Sequence, residues 1–277
     1  MNDNIAFIGG GNMTRAIAGG LIEGGYDARK IFVSEPLAET RKALEQDFPG
    51  ISTSDDNNAM AAAAGCVVLS VKPQILPTVC RELGDTVQAA KPLIVSIAAG
   101  TRSDDIETWL GGELAVVRVM PNQPSLLRLG ASGVFANSRT SDVERRRAVD
   151  IMGAVGSVVT VDSESQVDAV TAVSGSGPAY FFLLIDIVAS TGVELGLDAD
   201  AARTLAIETA IGSAALAAAE DESMHALIAR VRSPGGTTAA ALDSLDRDNV
   251  RAIFSAAITA ARDRAIELAD EASKSES

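Results

Sequence analysis

Residues 5–14 read Ile5-Ala6-Phe7-Ile8-Gly9-Gly10-Gly11-Asn12-Met13-Thr14, a short apolar run followed by three consecutive glycines. Gly9 and Gly11 occupy the first two glycine positions of a dinucleotide fingerprint, which permit a tight turn and a close approach of the backbone to a pyrophosphate. The third position holds Thr14. A lone Gly-x-Gly often marks only a turn, but a strand before it and a helix after it favour a dinucleotide site. We therefore predict the opening of a Rossmann unit, with Gly9, Gly11, Asn12 and Met13 at the ligand.

The first 160 residues alternate between short β-branched runs and stretches of helical character. The runs expected to form strands are 5–8, 31–34, 66–71, 93–97, 115–119 and 156–161. Helices expected between them include 13–23, 38–47 and 141–152. Strands alternating with helices are typical of βαβ units, so we expect an α/β domain with a doubly wound, mainly parallel sheet over residues 1–161.

From residue 162 onward the strand-like runs stop and alanine-rich segments replace them. The expected helices are 165–171, 178–195, 199–219, 224–231, 238–245 and 249–271. Alanine favours helix and allows helices to approach closely. Because only 4% of the chain is aromatic, this core is thin, and we expect a second copy to complete it. The sequence thus predicts an α/β Rossmann domain followed by an all-α dimerisation domain over residues 162–277.

Charge and cysteine content exclude several classes of partner. The chain carries 23 basic and 37 acidic residues, giving a net charge of −14, which would repel nucleic acid and anionic membranes. The most apolar stretch, residues 179–188, is interrupted by Asp186 and is shorter than the ~18–20 residues that span a bilayer. Cys66 and Cys80 are too few for a disulfide scaffold and form no metal-type pair. Without a recognisable targeting segment, we expect a cytoplasmic protein with no metal, nucleic-acid or membrane partner.

The end of the second predicted strand carries a candidate ribose ligand. Ser34 ends this strand and Glu35 follows it, 21 residues after Thr14, near the spacing at which an acidic residue binds the adenosine ribose. A carboxylate there repels a 2′-phosphate and favours NADH, whereas the nearby Arg41 would suit NADPH. Both cofactors therefore stay open, and Glu35 as a plain solvated charge is the alternative.

Val71-Lys72-Pro73 ends the strand that begins at Cys66. Ligands of doubly wound sheets bind at the carboxyl ends of the strands, so Lys72 is expected to meet the cofactor. A lysine at a strand end that merely faces solvent is the alternative.

Two further loops of small residues lie in the helical half. Residues 173–180 read Val-Ser-Gly-Ser-Gly-Pro-Ala-Tyr, and residues 232–238 read Arg-Ser-Pro-Gly-Gly-Thr-Thr. The second loop enters a predicted helix, where free backbone N–H groups and the helix dipole create a site for a carboxylate-sized anion. An ordinary N-cap provided by Thr237 or Thr238 is the alternative.

Together with residues 8–13 (Ile-Gly-Gly-Gly-Asn-Met), 71–74 (Val-Lys-Pro-Gln), 96–100 (Ser-Ile-Ala-Ala-Gly) and 118–122 (Arg-Val-Met-Pro-Asn), these loops closely resemble the pyrroline-5-carboxylate reductase family. The match extends from about residue 5 to 270, in the family's order and spacing. Residues 173–180 and 233–238 are specific to that family, whereas the glycine fingerprint is not.

The resemblance implies reduction of 1-pyrroline-5-carboxylate to L-proline with NADPH or NADH, the final step of proline biosynthesis. It also implies a homodimer with interlocked helical domains, which in the family often assembles into larger rings such as a decamer. It places the substrate at Ser233, Gly235, Gly236, Thr237 and Thr238, with the Thr238 hydroxyl as the catalytic group near the imine nitrogen. It places the cofactor at Gly9, Gly11, Asn12, Met13, Ser34, Glu35, Asn57, Val71, Lys72, Pro73, Ala98, Ala99, Gly100, Asn122 and Pro124.

The chain departs from the family pattern at a few positions. Gln123 replaces the usual Thr after Met-Pro-Asn, and Thr14 replaces a small residue. Ile228 and Ala229 stand where the family has a Lys-Asp pair before the substrate loop. These changes weaken any role for charge beside the loop, but they leave the loop itself intact.

The scarcity of proton-transfer side chains separates this activity from its alternatives. His225 is the only histidine, and no lysine lies between residues 92 and 273. A hydroxyacid dehydrogenase needs such a group for the alcohol proton, whereas an imine nitrogen is basic enough to take its proton from solvent. A dinucleotide-binding redox sensor without catalytic activity is the other alternative, but it would not need the loop at residues 233–238.

Overall fold

The computed structural model describes residues 2–274, which form one sheet and a set of α-helices. The strands are β1 (Ile5–Ile8), β2 (Ile31–Ser34), β3 (Ser52–Ser54), β4 (Cys66–Leu69), β5 (Leu93–Ser96), β6 (Val116–Met120), β7 (Gly130–Ala136) and β8 (Gly156–Thr160). The helices of the first half are α1 (Asn12–Glu23), α2 (Ala38–Asp47), α3 (Asn57–Ala62), α4 (Leu76–Ala90), α5 (Ser103–Trp109) and α6 (Asp142–Gly153). Those of the second half are α7 (Glu164–Val170), α8 (Gly177–Glu194), α9 (Ala199–Ala219), α10 (Met224–Val231), α11 (Thr237–Arg247) and α12 (Val250–Lys274).

The sheet has the strand order β3-β2-β1-β4-β5-β6-β7-β8. Every pair of neighbours is parallel except β6 and β7, which run antiparallel. The strand order reverses at β1, which pairs with β2 on one side and β4 on the other. Ligands of open α/β sheets bind outside the carboxyl ends of the strands at such a reversal. The predicted doubly wound sheet is confirmed. Residues 9–14 directly follow β1 and therefore lie where the strand order reverses.

Side chains of alternate strand residues build a core on each face of the sheet. Ile5 and Phe7 of β1 pack with α1 and α6 on one face, whereas Ala6 and Ile8 pack with α4 and α5 on the other. All four residues are buried. Strands of a parallel sheet covered by helices on both faces are expected to be apolar throughout, which is why the strand signal was clear in the sequence.

Two strands were missed by the sequence prediction. The first, β3, consists of three polar residues, and the second, β7, contains Gly130 and Gly133 in place of a β-branched run. Both glycines of β7 stand where a side chain would collide with a neighbour: a Cβ on Gly133 would lie 2.6 Å from Val170, and one on Gly130 would lie 2.8 Å from the Val155 carbonyl oxygen. The close packing of β7 against α7 and β8 requires glycine at these positions, so the β-branched residues that normally identify a strand are missing.

The chain divides into two compact units. The first contains the residues up to Ser176 together with those from Ala261 onward, and the second is Gly177–Ala260. The predicted domain boundary after residue 161 stays a prediction. The boundary between the compact units lies later in the chain, because α7 packs against β6 and β7 of the first unit. The last turns of α12 also belong to the first unit.

The second unit consists of helices joined by short loops. Its helices α8 and α9 pack closely, since a Cβ on Gly192 would lie 3.2 Å from the Ala202 Cβ. Many apolar side chains of α8 face solvent in the single chain: Phe181, Phe182, Leu183, Leu184, Ile187 and Val188. An apolar surface of this kind marks a site of interaction with a partner.

A π-helical turn at Thr171–Gly175 joins α7 to α8. Among the described residues this makes one helical run, Glu164–Glu194, that is long and apolar enough to cross a membrane, with a mean hydropathy of 1.5 over a window that is 11% buried. The sequence prediction considered residues 179–188 alone and therefore underestimated the length of this run.

Candidate functional site

The turn between β1 and α1 forms an open cradle. Gly9 has φ +105°, and a Cβ there would lie 2.9 Å from the Ser70 carbonyl oxygen, so only glycine fits without strain. Its N–H donates to the Ser34 oxygen at 2.8 Å. Gly11 is the N-cap of α1 without any side-chain cap, and a Cβ there would meet no atom within 4 Å. Open space above uncapped helix N–H groups is what a pyrophosphate requires.

Thr14 fills the third fingerprint position. Its side chain is buried, and its hydroxyl donates to the Gly9 carbonyl oxygen at 2.6 Å and lies 3.0 Å from the Ser70 hydroxyl oxygen. The Thr14 hydroxyl thus links the glycine turn to Ser70, the residue that follows β4, and the larger side chain is accommodated in this way. Ser70 was missed in the sequence analysis, since a serine after a strand carries no distinctive signal.

Glu35 lies at the carboxyl end of β2, beside the cradle. Its carboxylate accepts the Gly10 N–H at 2.9 Å and the Leu37 N–H at 3.1 Å. The Arg41 guanidinium donates to the main-chain oxygen of Glu35 at 2.6 Å and lies 3.8 Å from the Asp55 carboxylate. The predicted neighbours Glu35 and Arg41 therefore meet at one edge of the sheet. The carboxylate keeps lone pairs for a ribose hydroxyl.

Ser34 supports the assignment of this edge to a nucleotide. Its side chain is buried, and its Oγ makes no hydrogen bond with any described residue. A buried hydroxyl without a partner costs about 1–3 kcal/mol, so an additional polar group at this position would stabilise it. Asn57 begins α3 just after β3, where Asp56 caps the helix by accepting the Ala59 N–H at 3.0 Å. Ser34 ends β2 and Asn57 lies just after the neighbouring strand β3, so both are at the same edge of the sheet. The open cradle, the uncapped helix and the unpartnered hydroxyl all suit a dinucleotide.

Residues after β4 and β5 occupy the adjacent part of the edge. Val71, Lys72 and Pro73 follow β4, and Lys72 is exposed. Ala98, Ala99 and Gly100 follow β5, and Gly100 has φ +66°. The neighbouring Thr101 is buried with an unpartnered hydroxyl, and nothing in the sequence distinguished it.

Asn122 follows β6 and is nearly buried. Its side-chain amide donates to the Ser174 oxygen at 3.1 Å, and its side-chain oxygen accepts the Ala131 N–H at 2.9 Å. These bonds connect the end of β6 to β7 and to the π-helical turn. Pro124 lies in the short 3-10 helix that follows. Asn122 therefore shapes this corner of the sheet edge through its bonds to the protein.

The loop at residues 232–238 belongs to the second unit. It enters α11, whose N-cap is Gly236 without a side-chain cap, and Gly235 has φ +71°. The Arg232 guanidinium pairs with Asp243 of α11 at 2.6 Å and fixes the start of the loop. Within residues 2–274, the Thr237 and Thr238 hydroxyls neither accept a backbone N–H at the start of α11 nor donate to another group, and Thr238 is half-buried. The capping alternative is therefore wrong for both threonines, and the first N–H groups of α11 stay open to an anion.

The other candidate groups are poorly suited to catalysis. His225 is exposed in the first turn of α10. Burial raises the pKa of the Cys66 and Cys80 thiols to about 12, so both are protonated and unreactive at neutral pH. Among the described residues, no group of three or more His, Cys, Asp or Glu side chains could hold a metal ion.

The sheet reversal, the glycine cradle and the acidic residue after β2 define the first unit as the nucleotide domain of a Rossmann-type oxidoreductase. A family model for NADP oxidoreductase, coenzyme F420-dependent, matches residues 4–100. A second model, for pyrroline-5-carboxylate reductase dimerisation, matches residues 164–268. These matches confirm the predicted order of a nucleotide-binding part followed by a dimerisation part.

Relatives with assigned names agree over almost the full chain. Pyrroline-5-carboxylate reductase of Pseudomonas aeruginosa is 44% identical over 96% of this chain and 97% of its own length. The Vibrio alginolyticus enzyme is 42% identical over 95% and 97%. A solved pyrroline-5-carboxylate reductase from Coxiella burnetii superposes with a TM-score of 0.93, at 42% identity over 97% of this chain and 99% of that one. The chain belongs to the pyrroline-5-carboxylate reductase family, so the resemblance and the oxidoreductase class predicted from the sequence are confirmed.

Proposed function

We propose that Thr238 is the catalytic hydroxyl with which this protein reduces 1-pyrroline-5-carboxylate to L-proline, NADH or NADPH being the hydride donor. The observation that carries the assignment of roles is the uncapped N-terminus of α11, reached by a loop of small residues whose threonine hydroxyls are unpartnered. A solved Plasmodium falciparum relative, 26% identical with a TM-score of 0.85, has NADP bound. When bound, the nicotinamide supplies the hydride for the imine carbon.

The glycine cradle holds the nucleotide in this proposal. The N–H groups of Gly11, Asn12 and Met13 would bind the pyrophosphate. They are free to do so because α1 has neither an acidic residue in its first turn nor a side-chain cap. Ser34, Glu35 and Asn57 bind the adenosine ribose. The residues after β4, β5 and β6 enclose the nicotinamide: Val71, Lys72, Pro73, Ala98, Ala99, Gly100, Asn122 and Pro124.

The substrate carboxylate binds at the start of α11. Thr237 and Thr238 provide backbone N–H groups, Ser233, Thr237 and Thr238 provide hydroxyls, and the helix dipole favours the negative charge. Gly235 and Gly236 shape the loop, because the Gly236 N–H donates to the Ser233 oxygen at 3.0 Å. Local dipoles are needed here, because a chain with a net charge of −14 repels an anionic substrate at long range.

Thr238 orients the imine nitrogen and stabilises its proton. Neither an imidazole nor an amine is required, since the imine is protonated by solvent near neutral pH. Most of the rate enhancement then comes from holding the imine carbon at near-attack distance from the hydride donor.

The same proposal includes the assembly and location of the protein. The dimerisation segment is expected to form a homodimer, and five such dimers would form a decamer. We place the enzyme in the cytoplasm. Its acidic surface disfavours binding to nucleic acids and anionic membranes.

The decisive experiment mixes the pure protein with the pyrroline substrate and NADH or NADPH, and follows the absorbance of the reduced cofactor. Thr238→Ala should lower turnover by ~10²-fold or more at saturating substrate, whereas Thr238→Ser keeps a hydroxyl and should retain most of it. An unchanged rate in Thr238→Ala would refute the role of this hydroxyl. Failure of the wild type to oxidise either cofactor would favour a redox sensor, and oxidation driven instead by a 2-keto acid would favour a hydroxyacid dehydrogenase.

A further inference from the structure

The end of α12 packs against the loop that follows β5. A Cβ on Gly100 would lie 3.3 Å from the Leu268 Cβ and 3.9 Å from the Ala269 main-chain nitrogen. The helix backbone itself therefore lies against this glycine. Ala265 and Ala269, one helical turn apart, are buried at 6% and 0% exposure, so only small side chains fit between the helix and the rest of the first unit.

Two polar contacts fix the helix beside this glycine. The Arg102 guanidinium pairs with Asp270 at 3.1 Å. The Ser273 hydroxyl donates to the Asp105 carboxylate. Both partners on the first unit lie within five residues of Gly100, one before α5 and one inside it. The last turns of α12 are thus attached to the segment that leads from the loop into α5.

The opposite side of this segment is held by α7. The Glu164 carboxylate accepts the Ser103 N–H at 2.5 Å and pairs with the Arg118 guanidinium at 2.7 Å. The Arg118 side chain is only 4% exposed, so this anchor is rigid. At its other end the loop is held by the Ile97 N–H, which donates to the Leu69 oxygen at 3.1 Å. With both ends fixed, the path of residues 98–101 depends on what lies against Gly100, which is α12.

We propose that the last turns of α12 position the nicotinamide loop, with Ala269 and Asp270 as positioning residues that act through Gly100 and Arg102. The inference rests on the proposed function, because residues 98–100 are assigned there to the nicotinamide. Both residues are assigned a positioning role, because their contacts are with Gly100 and Arg102. Gly100 has φ +66°, a conformation that glycine adopts without strain, and glycine can also change its backbone angles readily, so the loop can follow a small shift of the helix.

The test uses two ligands that differ only in the nicotinamide half. Ala269→Leu inserts a larger side chain at a fully buried position and should displace α12 from Gly100. We expect the Kd for NADH to rise by about tenfold, a change of about 1.4 kcal/mol, while the Kd for ADP-ribose, which lacks the nicotinamide, stays unchanged. The turnover number should fall, and the isotope effect with deuterated NADH should rise as hydride transfer becomes limiting. Ala269→Ser keeps the small volume and should behave as the wild type does.

A second pair of variants covers the case in which Ala269→Leu does not fold. The double variant Asp270→Ala with Ser273→Ala removes the contacts of α12 with Arg102 and Asp105 and keeps its apolar packing. Its control is Glu267→Ala, because within residues 2–274 Glu267 forms its ion pair with Arg264 of the same helix alone. We expect weaker NADH binding with unchanged ADP-ribose binding in the double variant alone.

Equal weakening of both ligands, or no change of either in the folded variants, would overturn the proposal. A failure of the proposed reaction would look different. The wild type would then bind NADH without oxidising it in the presence of the pyrroline, and the comparison of the two ligands would still report on α12.

Discussion

The Glu35 carboxylate is held beside the glycine turn by two main-chain N–H groups, those of Gly10 and Leu37. Its charge therefore cannot swing away from the position where Rossmann enzymes bind the adenosine ribose. The guanidinium of Arg41 is engaged with main-chain oxygens of Glu35 and Pro36, so it only partly offsets this charge. A fixed negative charge at the ribose opposes a 2′-phosphate.

Removing this charge should change the cofactor preference. In Glu35→Gln we expect the ratio of kcat/KM for NADPH to that for NADH to rise by about tenfold, equivalent to about 1.4 kcal/mol. Steady-state rates with both cofactors measure this ratio. Glu39→Gln, an exposed charge of α2, is the matched control and should leave it unchanged. A ratio that does not respond in Glu35→Gln would show that this carboxylate does not face the ribose.

Asp168 of α7 is a buried acid whose burial raises the pKa of its carboxyl, although the nearby Arg118 and Arg102 lower it and Glu164 and Asp270 raise it further. A raised folded-state pKa means that the folded protein binds the proton more tightly than the unfolded chain. The contribution is thus greatest at acid pH and is lost as the pH rises through the folded-state value. Relative to Asp168→Asn, the wild type should lose stability as the pH rises above the ordinary aspartate pKa of about 4, because the pKa of the folded state is higher. Urea unfolding at several pH values checks this, and the opposite trend would contradict the burial argument.

At the scale of the elements, local sequence determined some helices completely and others hardly at all. The helix α6 begins with a capping box in which Ser141 accepts the Glu144 N–H at 3.3 Å and Glu144 accepts the Ser141 N–H at 2.8 Å. The signature Ser-x-x-Glu is visible in the sequence, and the start of α6 was predicted within one residue. Such a cap is local, so neither packing nor a partner is needed to define it.

Loss of this cap should have a measurable cost. Ser141→Ala is expected to lower the free energy of unfolding by about 1 kcal/mol, because the Glu144 N–H loses its acceptor. Glu144→Gln keeps an acceptor for the Ser141 N–H and should cost less than half of that. Denaturant unfolding curves provide both values. Equal stability of Ser141→Ala and the wild type would show that solvent replaces the cap without cost.

Elements defined by long-range contacts were beyond the reach of the sequence. β7 is a strand because its glycines let α7 and β8 approach it, and glycine predicts the opposite of a strand. The end of α12 was expected to be helical, yet nothing in its residues indicated that it packs on the loop after β5. Gly9, Gly11, Glu35 and Lys72 were predicted from the fingerprint and from the ends of strands. The other predicted cofactor residues, such as Asn57 and Asn122, came from the family resemblance, whereas Ser70 and Thr101 became visible only with the fold.

At the scale of the whole molecule, the exposed apolar side chains of α8 lie inside the matched dimerisation segment. A soluble protein rarely exposes such a surface unless a partner covers it. A core built with only 4% aromatic residues gives the single chain little stability to spare. Burial of these side chains against a second copy would stabilise the protein by about 25 cal/mol per Å² of apolar surface removed from water.

A charge placed on this surface should separate the subunits. Phe182 is 59% exposed in the single chain, and Phe182→Asp would bury a carboxylate in the dimer. We expect sedimentation to show a mass near the 28.5 kDa of one chain and loss of most activity. Val143→Asp, at an exposed apolar position of α6, is the control and should keep the assembled mass. An assembled Phe182→Asp protein would show that α8 lies outside the interface.

The uncovered face of α8 also sets the order of the folding reaction. If each chain needs a second copy to cover these side chains, the last step of folding requires a collision between two chains, and its rate depends on the square of their concentration. The half-time of the final refolding phase should then shorten in proportion as the protein is concentrated, while earlier phases keep a constant half-time. Newly made chains at low abundance would spend longest with this surface open, which is the period when aggregation competes with assembly.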